Sequence, residues 1–253
     1  MTRNPSPAHP LPYSMLLIDT ERFSDRDDVQ QAYLRRMLYG IVDRTLLAAG
    51  IDQTVRLRAD RGDAVMELID PSVPLTTVLR TLLTEVPAEL RSVNRLAAGS
   101  AQIRLRAVVA TGFVVIDEYD GWVGTDLNQA CRLLDGAPLR DALRGATDDF
   151  ALCVSESVHS GIVRHNHLGI RADAFTSVTV PSKNGPLKAW LHGPLPAPAT
   201  PSAPATPPEP TASPASSPSS PARTGLDFRG TNHGVVANSI EGAITFGDSG
   251  GRR

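Results

Sequence analysis

Two aspartates follow or separate apolar runs of the kind that form β-strands, and carboxylates in such positions can bind metal ions. Asp19 directly follows the apolar run 15–18, and a polar turn and a helix start come next. A strand end offers free backbone N–H groups to a phosphate, while the carboxylate can hold the metal ion that accompanies it. Asp63 lies beside Gly62, in the polar link between two β-rich runs. Both also have a purely structural interpretation, because βα turns and hairpin tips often carry Asp.

An amide and a guanidinium come together farther along the chain. Asn128 and Arg132 are four residues apart in the segment 126–134, which we interpret as a helix. Residues four apart lie on one helix face, one turn from each other. Such a pair can bind a sugar oxygen and a phosphate. The alternative is a surface helix in which the arginine has no binding role.

These residues must be positioned by helices that the apolar spacing predicts. The predicted helices are 27–49, 74–96 with a break at Pro87, 126–134 and 155–163. Ser24 or Asp25 is the expected N-cap of the first helix, and Gly50 is its expected C-cap.

Strands are predicted from short runs of β-branched and apolar residues. They are 13–19, 55–59, 64–69, 103–109, 113–116, 150–154, 178–180 and 187–191. Gly-containing turns between neighbouring strands predict three hairpins, and one of these turns is Thr111-Gly112.

The composition limits the classes of function. The chain has 253 residues and a formal net charge of −2, so it lacks the basic surface that binds nucleic acid or anionic membranes. Cys131 and Cys153 give neither a disulfide framework nor a metal-binding spacing, which fits a reducing cytosol. No apolar run is long enough to span a bilayer. We therefore expect a cytoplasmic protein that binds neither nucleic acid nor membrane.

Sharp changes in composition divide the chain into four parts. A disordered leader is expected over 1–12 and a folded domain over 13–192. Residues 193–225 are rich in Pro, Ala, Ser and Thr, which predicts an extended, disordered linker. Residues 226–253 form a short β-prone tail that is either suited to pairing with another protein's sheet or disordered without a partner.

Four motifs resemble, in order and spacing, the catalytic domain of the class III nucleotidyl cyclases, the adenylate/guanylate cyclase family. The resemblance covers roughly residues 13–192 and is that of a divergent bacterial member, whose tail loosely resembles short repeats of actinobacterial signalling proteins. The matching residues are Asp19 with Phe23-Ser24, Gly62-Asp63, the run from Arg104 to Thr111-Gly112, and Gly124, Asn128 and Arg132 as Gly-x3-Asn-x3-Arg. The last of these motifs is the most specific.

The resemblance implies a fold and an assembly. The fold would be α+β, a ferredoxin-like palm with helices against one face of a mainly antiparallel sheet. The assembly would be a head-to-tail homodimer with active sites at the interface. The substrate would be a nucleoside triphosphate.

The resemblance also implies a role for each matching residue. Two Mg²⁺ or Mn²⁺ ions would be bound by Asp19, Asp63 and the backbone carbonyl of Ile18. From the other subunit, Asn128 would orient the ribose and Arg132 would contact the transition-state phosphate. The residues implied in binding the other phosphates are Phe23, Ser24 and Lys183.

The chain departs from the family pattern at the base-selecting positions. Ala59 stands where a Lys is usual and Gly121 where its Asp partner is usual, although Arg58 and Asp120 are each one residue away. A register shift would make Arg58 and Asp120 the base-selecting pair. The base therefore stays open among ATP, GTP and a pyrimidine triphosphate.

Two functions are compatible with these residues. The first is an active cyclase that makes a 3′,5′-cyclic mononucleotide and pyrophosphate for intracellular signalling. The second is a catalytically inactive module that senses nucleotide or dimerises and recruits an effector through its tail. The presence of both aspartates, the asparagine and the arginine favours the first.

Overall fold

A computed structural model describes residues 9–193, and the leader before residue 9, the linker and the tail lie outside the described residues. Eight strands are described: β1 Leu11–Thr20, β2 Arg56–Asp60, β3 Ala64–Ile69, β4 Leu105–Ile116, β5 Trp122–Val123, β6 Phe150–Ser155, β7 Phe175–Val180 and β8 Leu187–His192. The five α-helices are α1 Asp28–Ala48, α2 Leu75–Asn94, α3 Thr125–Leu134, α4 Ala137–Gly145 and α5 Glu156–Gly161.

The strands form one mainly antiparallel sheet. Its order is β2-β3-β1-β4-β6-β8-β7, with β5 paired to the far end of β4. In this sheet β4 and β6 are the parallel pair, and the other pairs are antiparallel. This arrangement confirms the predicted α+β palm.

The central strand β1 is buried on both faces, as its apolar run predicts. Leu16 and Ile18 contact the core under the long helices α1 and α2. Met15 and Leu17 contact a second core, which α3 and α4 cover on the opposite face. Alternation along the strand therefore sends Asp19 to the face of α3 and α4.

The β4 strand corrects one predicted turn. It continues through Thr111-Gly112, and the hairpin comes later, where Ile116 pairs with Trp122. Gly112 allows a close approach, because an added Cβ would lie 2.2 Å from the Asp126 side chain. That carboxylate accepts a hydrogen bond of 2.9 Å from the Phe113 N–H. The absence of a side chain at Gly112 thus lets the start of α3 pack closely against β4.

The helix ends differ in part from the prediction. Asp27 is the N-cap of α1, in place of Ser24 or Asp25, and its side chain accepts a hydrogen bond from the Gln30 N–H. Gly50, at φ 74°, provides the predicted left-handed end.

Two further helices depart from the sequence pattern. α2 runs without a break through Pro87, between the core residues Val86 and Leu90. Packing of this apolar face offsets the hydrogen bond that proline cannot donate. α4 was not predicted, because it has only nine residues and two buried leucines, Leu139 and Leu143.

None of the described helices combines the length and the apolar character that crossing a membrane requires.

Candidate active site

Asp19 lies at the end of β1, where its neighbours on both sides are fixed by strand pairing. Its cross-strand partners are Ala64 on β3 and Arg106 on β4. Only 6% of the Asp19 surface is exposed. The carboxylate is therefore held at an edge of the core on the face that carries α3.

The two oxygens of the Asp19 carboxylate have different surroundings. Oδ2 accepts a short, charge-assisted hydrogen bond from Arg106 Nη2, whereas Oδ1 is buried and has no hydrogen-bond partner. Burial raises the pKa of Asp19 to about 6; Arg106 opposes this shift, and the negative charges of Asp63 and Asp135 add to it. A buried carboxylate oxygen without a donor is an available ligand for a cation.

Asp63 is placed beside Asp19 by the β2–β3 turn. The Thr20 N–H donates a 3.1 Å hydrogen bond to the Asp63 carbonyl, which ties this turn to the end of β1. The Asp63 side chain is exposed. The structure thus brings together the two aspartates that the sequence singled out.

The side chains that this edge offers to a metal ion are the carboxylates of Asp19 and Asp63, and carboxylate oxygens suit Mg²⁺ or Mn²⁺. Within residues 9–193, no group of three or more His, Cys, Asp or Glu side chains could hold a metal ion. The residues that could bind a metal ion here are therefore the two aspartates, and Asp19 Oδ1 is the oxygen without a hydrogen-bond donor. Ile18 precedes them, and its side chain faces the core under α1 and α2.

Phe23 and Ser24 form a single 3₁₀ turn directly after β1. Phe23 packs against the core, and Ser24 is exposed. The turn follows Arg22, which has a left-handed backbone at φ 55°. Glycine adopts this conformation without a steric penalty, so Arg22 adopts it at a conformational cost.

Asn128 and Arg132 lie on α3 and are directed away from the core. Asn128 is exposed, and Arg132 Nη1 donates a 3.0 Å hydrogen bond to Ser182 Oγ in the β7–β8 turn. Lys183 is the next residue of that turn and is exposed. Within the described residues, no hydrogen bond or ion pair joins Asn128 or Arg132 to either aspartate.

The comparisons with known proteins identify the fold. No model of a known protein family matches this chain, and no curated protein matches it by sequence. Among solved structures, the guanylyl cyclase Cya2 is 16% identical, with a TM-score of 0.52 over 76% of this chain and 97% of that one. The adenylate/guanylate cyclase/hydrolase from Silicibacter pomeroyi is 21% identical, with a TM-score of 0.52 over 74% of this chain and 99% of that one.

A bacterial light-regulated adenylyl cyclase is 16% identical, with a TM-score of 0.53 over 73% of this chain and 51% of that one. The described domain has the class III nucleotidyl cyclase fold. At these identities the likeness concerns the fold and leaves the chemistry to the residues of this chain.

The cyclase-like domain does not bring Arg58 and Asp120 together as a base-selecting pair. Arg58 donates hydrogen bonds of 2.6 Å to Glu67 Oε1 and to Asp43 Oδ1, on the face covered by α1. Successive residues of a strand face opposite sides of the sheet. The contacts of Arg58 place it on the side of α1, which is the opposite face from Asp19. Asp120 is exposed at the tip of the β4–β5 turn, at φ 59°.

Two residues of the candidate site are not among those that the sequence predicted. Arg106 lies inside the predicted strand 103–109, and a basic residue flanked by apolar residues in a strand is itself a signal. Ser182 gave no signal, because its contact with Arg132 spans 50 residues of sequence.

Proposed function

We propose that this chain is a nucleotidyl cyclase that converts a nucleoside triphosphate to a 3′,5′-cyclic mononucleotide and pyrophosphate. The observation that carries the proposal is the pairing of Asp19, with its free and buried Oδ1, and Asp63 at one edge of a cyclase fold. Cytoplasmic signalling remains part of the proposal.

Asp19, Asp63 and the Ile18 carbonyl would hold two Mg²⁺ or Mn²⁺ ions. When bound, such ions lower the pKa of the ribose 3′-hydroxyl and neutralise the triphosphate. In the reaction, the 3′ oxygen forms a bond to the α-phosphorus while the bond to the bridging oxygen breaks and pyrophosphate leaves. The 3′-hydroxyl proton is lost to solvent or to a base.

The remaining residues bind and orient the substrate. Asn128 would donate a hydrogen bond to the ribose, and Arg132 would donate to the α-phosphate as its charge increases. The backbone of Phe23-Ser24 and the Lys183 ammonium would contact the triphosphate. In this proposal Ser182 positions Arg132 until the substrate is bound.

The active form would be a homodimer with composite sites. Asn128 and Arg132 are exposed or directed to the β7–β8 turn rather than to Asp19 and Asp63. A second subunit would therefore supply them to the aspartates of the first.

An inactive nucleotide-sensing or dimerisation module is the second candidate. The observation that favours it is the separation of Arg58 from the face that carries Asp19, which leaves base recognition without its usual pair. Such a module would bind a nucleotide without turnover.

The two candidates are separated by incubating the purified full chain with each of the four NTPs and Mn²⁺, followed by mass spectrometry. A cyclase gives a 3′,5′-cyclic mononucleotide from at least one NTP. Nucleotide binding, measured by calorimetry, without any cyclic product would support the sensing module and contradict the cyclase.

A further inference from the structure

Arg106 is the one basic side chain that contacts Asp19 among the described residues. It stands directly opposite Asp19 in the β1–β4 register, and β4 is itself held between β1 and β6. The Arg106 side chain is only 12% exposed. Its position is therefore set by the sheet rather than by a flexible loop.

The contact between Arg106 and Asp19 makes the two oxygens of the carboxylate different. Arg106 Nη2 holds Oδ2, and Oδ1 stays buried without a donor. The terminal torsion of an aspartate is broad and nearly two-fold, so an unheld carboxylate would rotate. A fixed partner on one oxygen keeps the other oxygen in a constant direction.

A cation so near a metal site has two opposite physical effects. Its charge repels a divalent ion, which weakens binding. Its hydrogen bond orients the ligand, and partners of this kind typically contribute 10- to 100-fold to metal affinity. Both side chains are buried, which favours the orienting effect. Without Arg106, the buried carboxylate would lose its fixed orientation, and water could not replace the lost hydrogen bond.

We propose that Arg106 is a positioning residue that presents Asp19 Oδ1 to the divalent ion. This inference rests on the proposed function, since it requires a metal ion at Asp19. It adds a residue to which the sequence alone assigned no role.

The test is Mn²⁺ affinity, measured without nucleotide from the electron paramagnetic resonance signal of free Mn²⁺. The variants are Arg106→Met, which removes the charge and the donor, and Arg106→Lys, which keeps the charge. The matched control is Arg61→Met, which removes an exposed positive charge in the turn beside Asp63. Cooperative thermal unfolding in EDTA verifies that each variant is folded.

The expected order of affinity is wild type, then Arg106→Lys, then Arg106→Met, with at least a tenfold loss for Met. Arg61→Met is expected to bind Mn²⁺ as tightly as wild type or more tightly, because it only removes a repulsive charge. If either Arg106 variant binds as tightly as wild type, the positioning role is overturned. If Arg106→Met does not fold, Arg106→Lys decides by the same criterion.

A control on Asp19 separates this inference from the proposed function. If wild type binds Mn²⁺ and Asp19→Asn does not, an unchanged affinity in the Arg106 variants overturns the positioning role alone. If wild type does not bind millimolar Mn²⁺, the metal site and the positioning role are both overturned.

Discussion

At the scale of single residues, the main feature is the buried carboxylate of Asp19, whose burial costs the folded state stability. Asp19 is buried with one oxygen paired to Arg106 and the other without a donor. Leaving a buried acceptor unpaired costs about 1–3 kcal/mol. The site thus gives up stability that a bound cation would restore.

This cost predicts a pH dependence in metal-free protein. The pKa of Asp19 is raised to about 6 by burial, above its ordinary value of 3.8. Between these values the folded state keeps a proton that the unfolded state has lost, so its contribution to stability falls as pH rises. The total loss is about 3 kcal/mol, complete above pH about 6.

The measurement is the free energy of unfolding in EDTA from pH 4 to pH 8, for wild type and for Asp19→Asn. The difference between wild type and the variant should fall toward pH 6 and stay constant above it. A difference that is constant throughout, or that rises with pH, would show that Asp19 is not buried as described.

At the scale of elements, the contact between β4 and α3 sets the position of α3, the helix that carries Asn128 and Arg132. Gly112→Ala would place a Cβ 2.2 Å from the Asp126 side chain. We expect a loss of about 1–3 kcal/mol, as for other overpacked positions. Urea unfolding measures the loss, and Gly99→Ala is the control, since an added Cβ there meets no atom within 4 Å. Equal stability of the two variants would contradict the described contact.

Local patterns predicted most elements correctly. The i+4 apolar spacing predicted α1 and the glycine at its end, and the polar link around Asp63 predicted the β2–β3 hairpin. Thr111-Gly112 misled, because a strand glycine can mark either a turn or the close approach of another element. Only the partner, Asp126, distinguishes these, and the local sequence does not show that contact.

The placement of the candidate site residues was predictable in part, but their contacts were not. The two aspartates follow from their strand ends, and strand pairing then brings them together. The partner of Asp19 could not be predicted, because Arg106 lies 87 residues away and depends on the register of β1 with β4. A one-residue shift does not make Arg58 a base-selecting residue, because neighbouring residues of a strand face opposite sides of the sheet.

At the scale of the whole molecule, composite sites predict complementation between inactive subunits. In the proposed site, Asp63→Asn would remove a metal ligand and Arg132→Ala would remove the phosphate contact, so each homodimer should be inactive. A mixed dimer contains one site with neither change and should recover up to half of the wild-type activity per dimer. The measurement is product formation after subunit exchange, and no recovery despite confirmed exchange would contradict a shared site.

The tail predicts a protein contact that is independent of nucleotide chemistry. Residues 226–253 lie outside the described residues, and their β-branched and aromatic sequence suits pairing with a sheet edge. Deleting them should leave product formation unchanged and remove a partner, either an effector or another copy of the chain, from a pull-down. Capture of the same partners by the full and the shortened chain would contradict the tether.

The central claim is tested most directly by comparing wild type with Asp19→Asn for cyclic product. Both proteins are incubated with Mn²⁺ and the preferred NTP, and 3′,5′-cyclic mononucleotide is quantified by mass spectrometry. Circular dichroism verifies that the variant keeps its fold. The account predicts product from wild type and at least a hundredfold less from Asp19→Asn, because removing a metal ligand removes the main stabilisation of charge in the transition state. Equal product formation by the folded variant would contradict the metal assignment, and with it the account of this site.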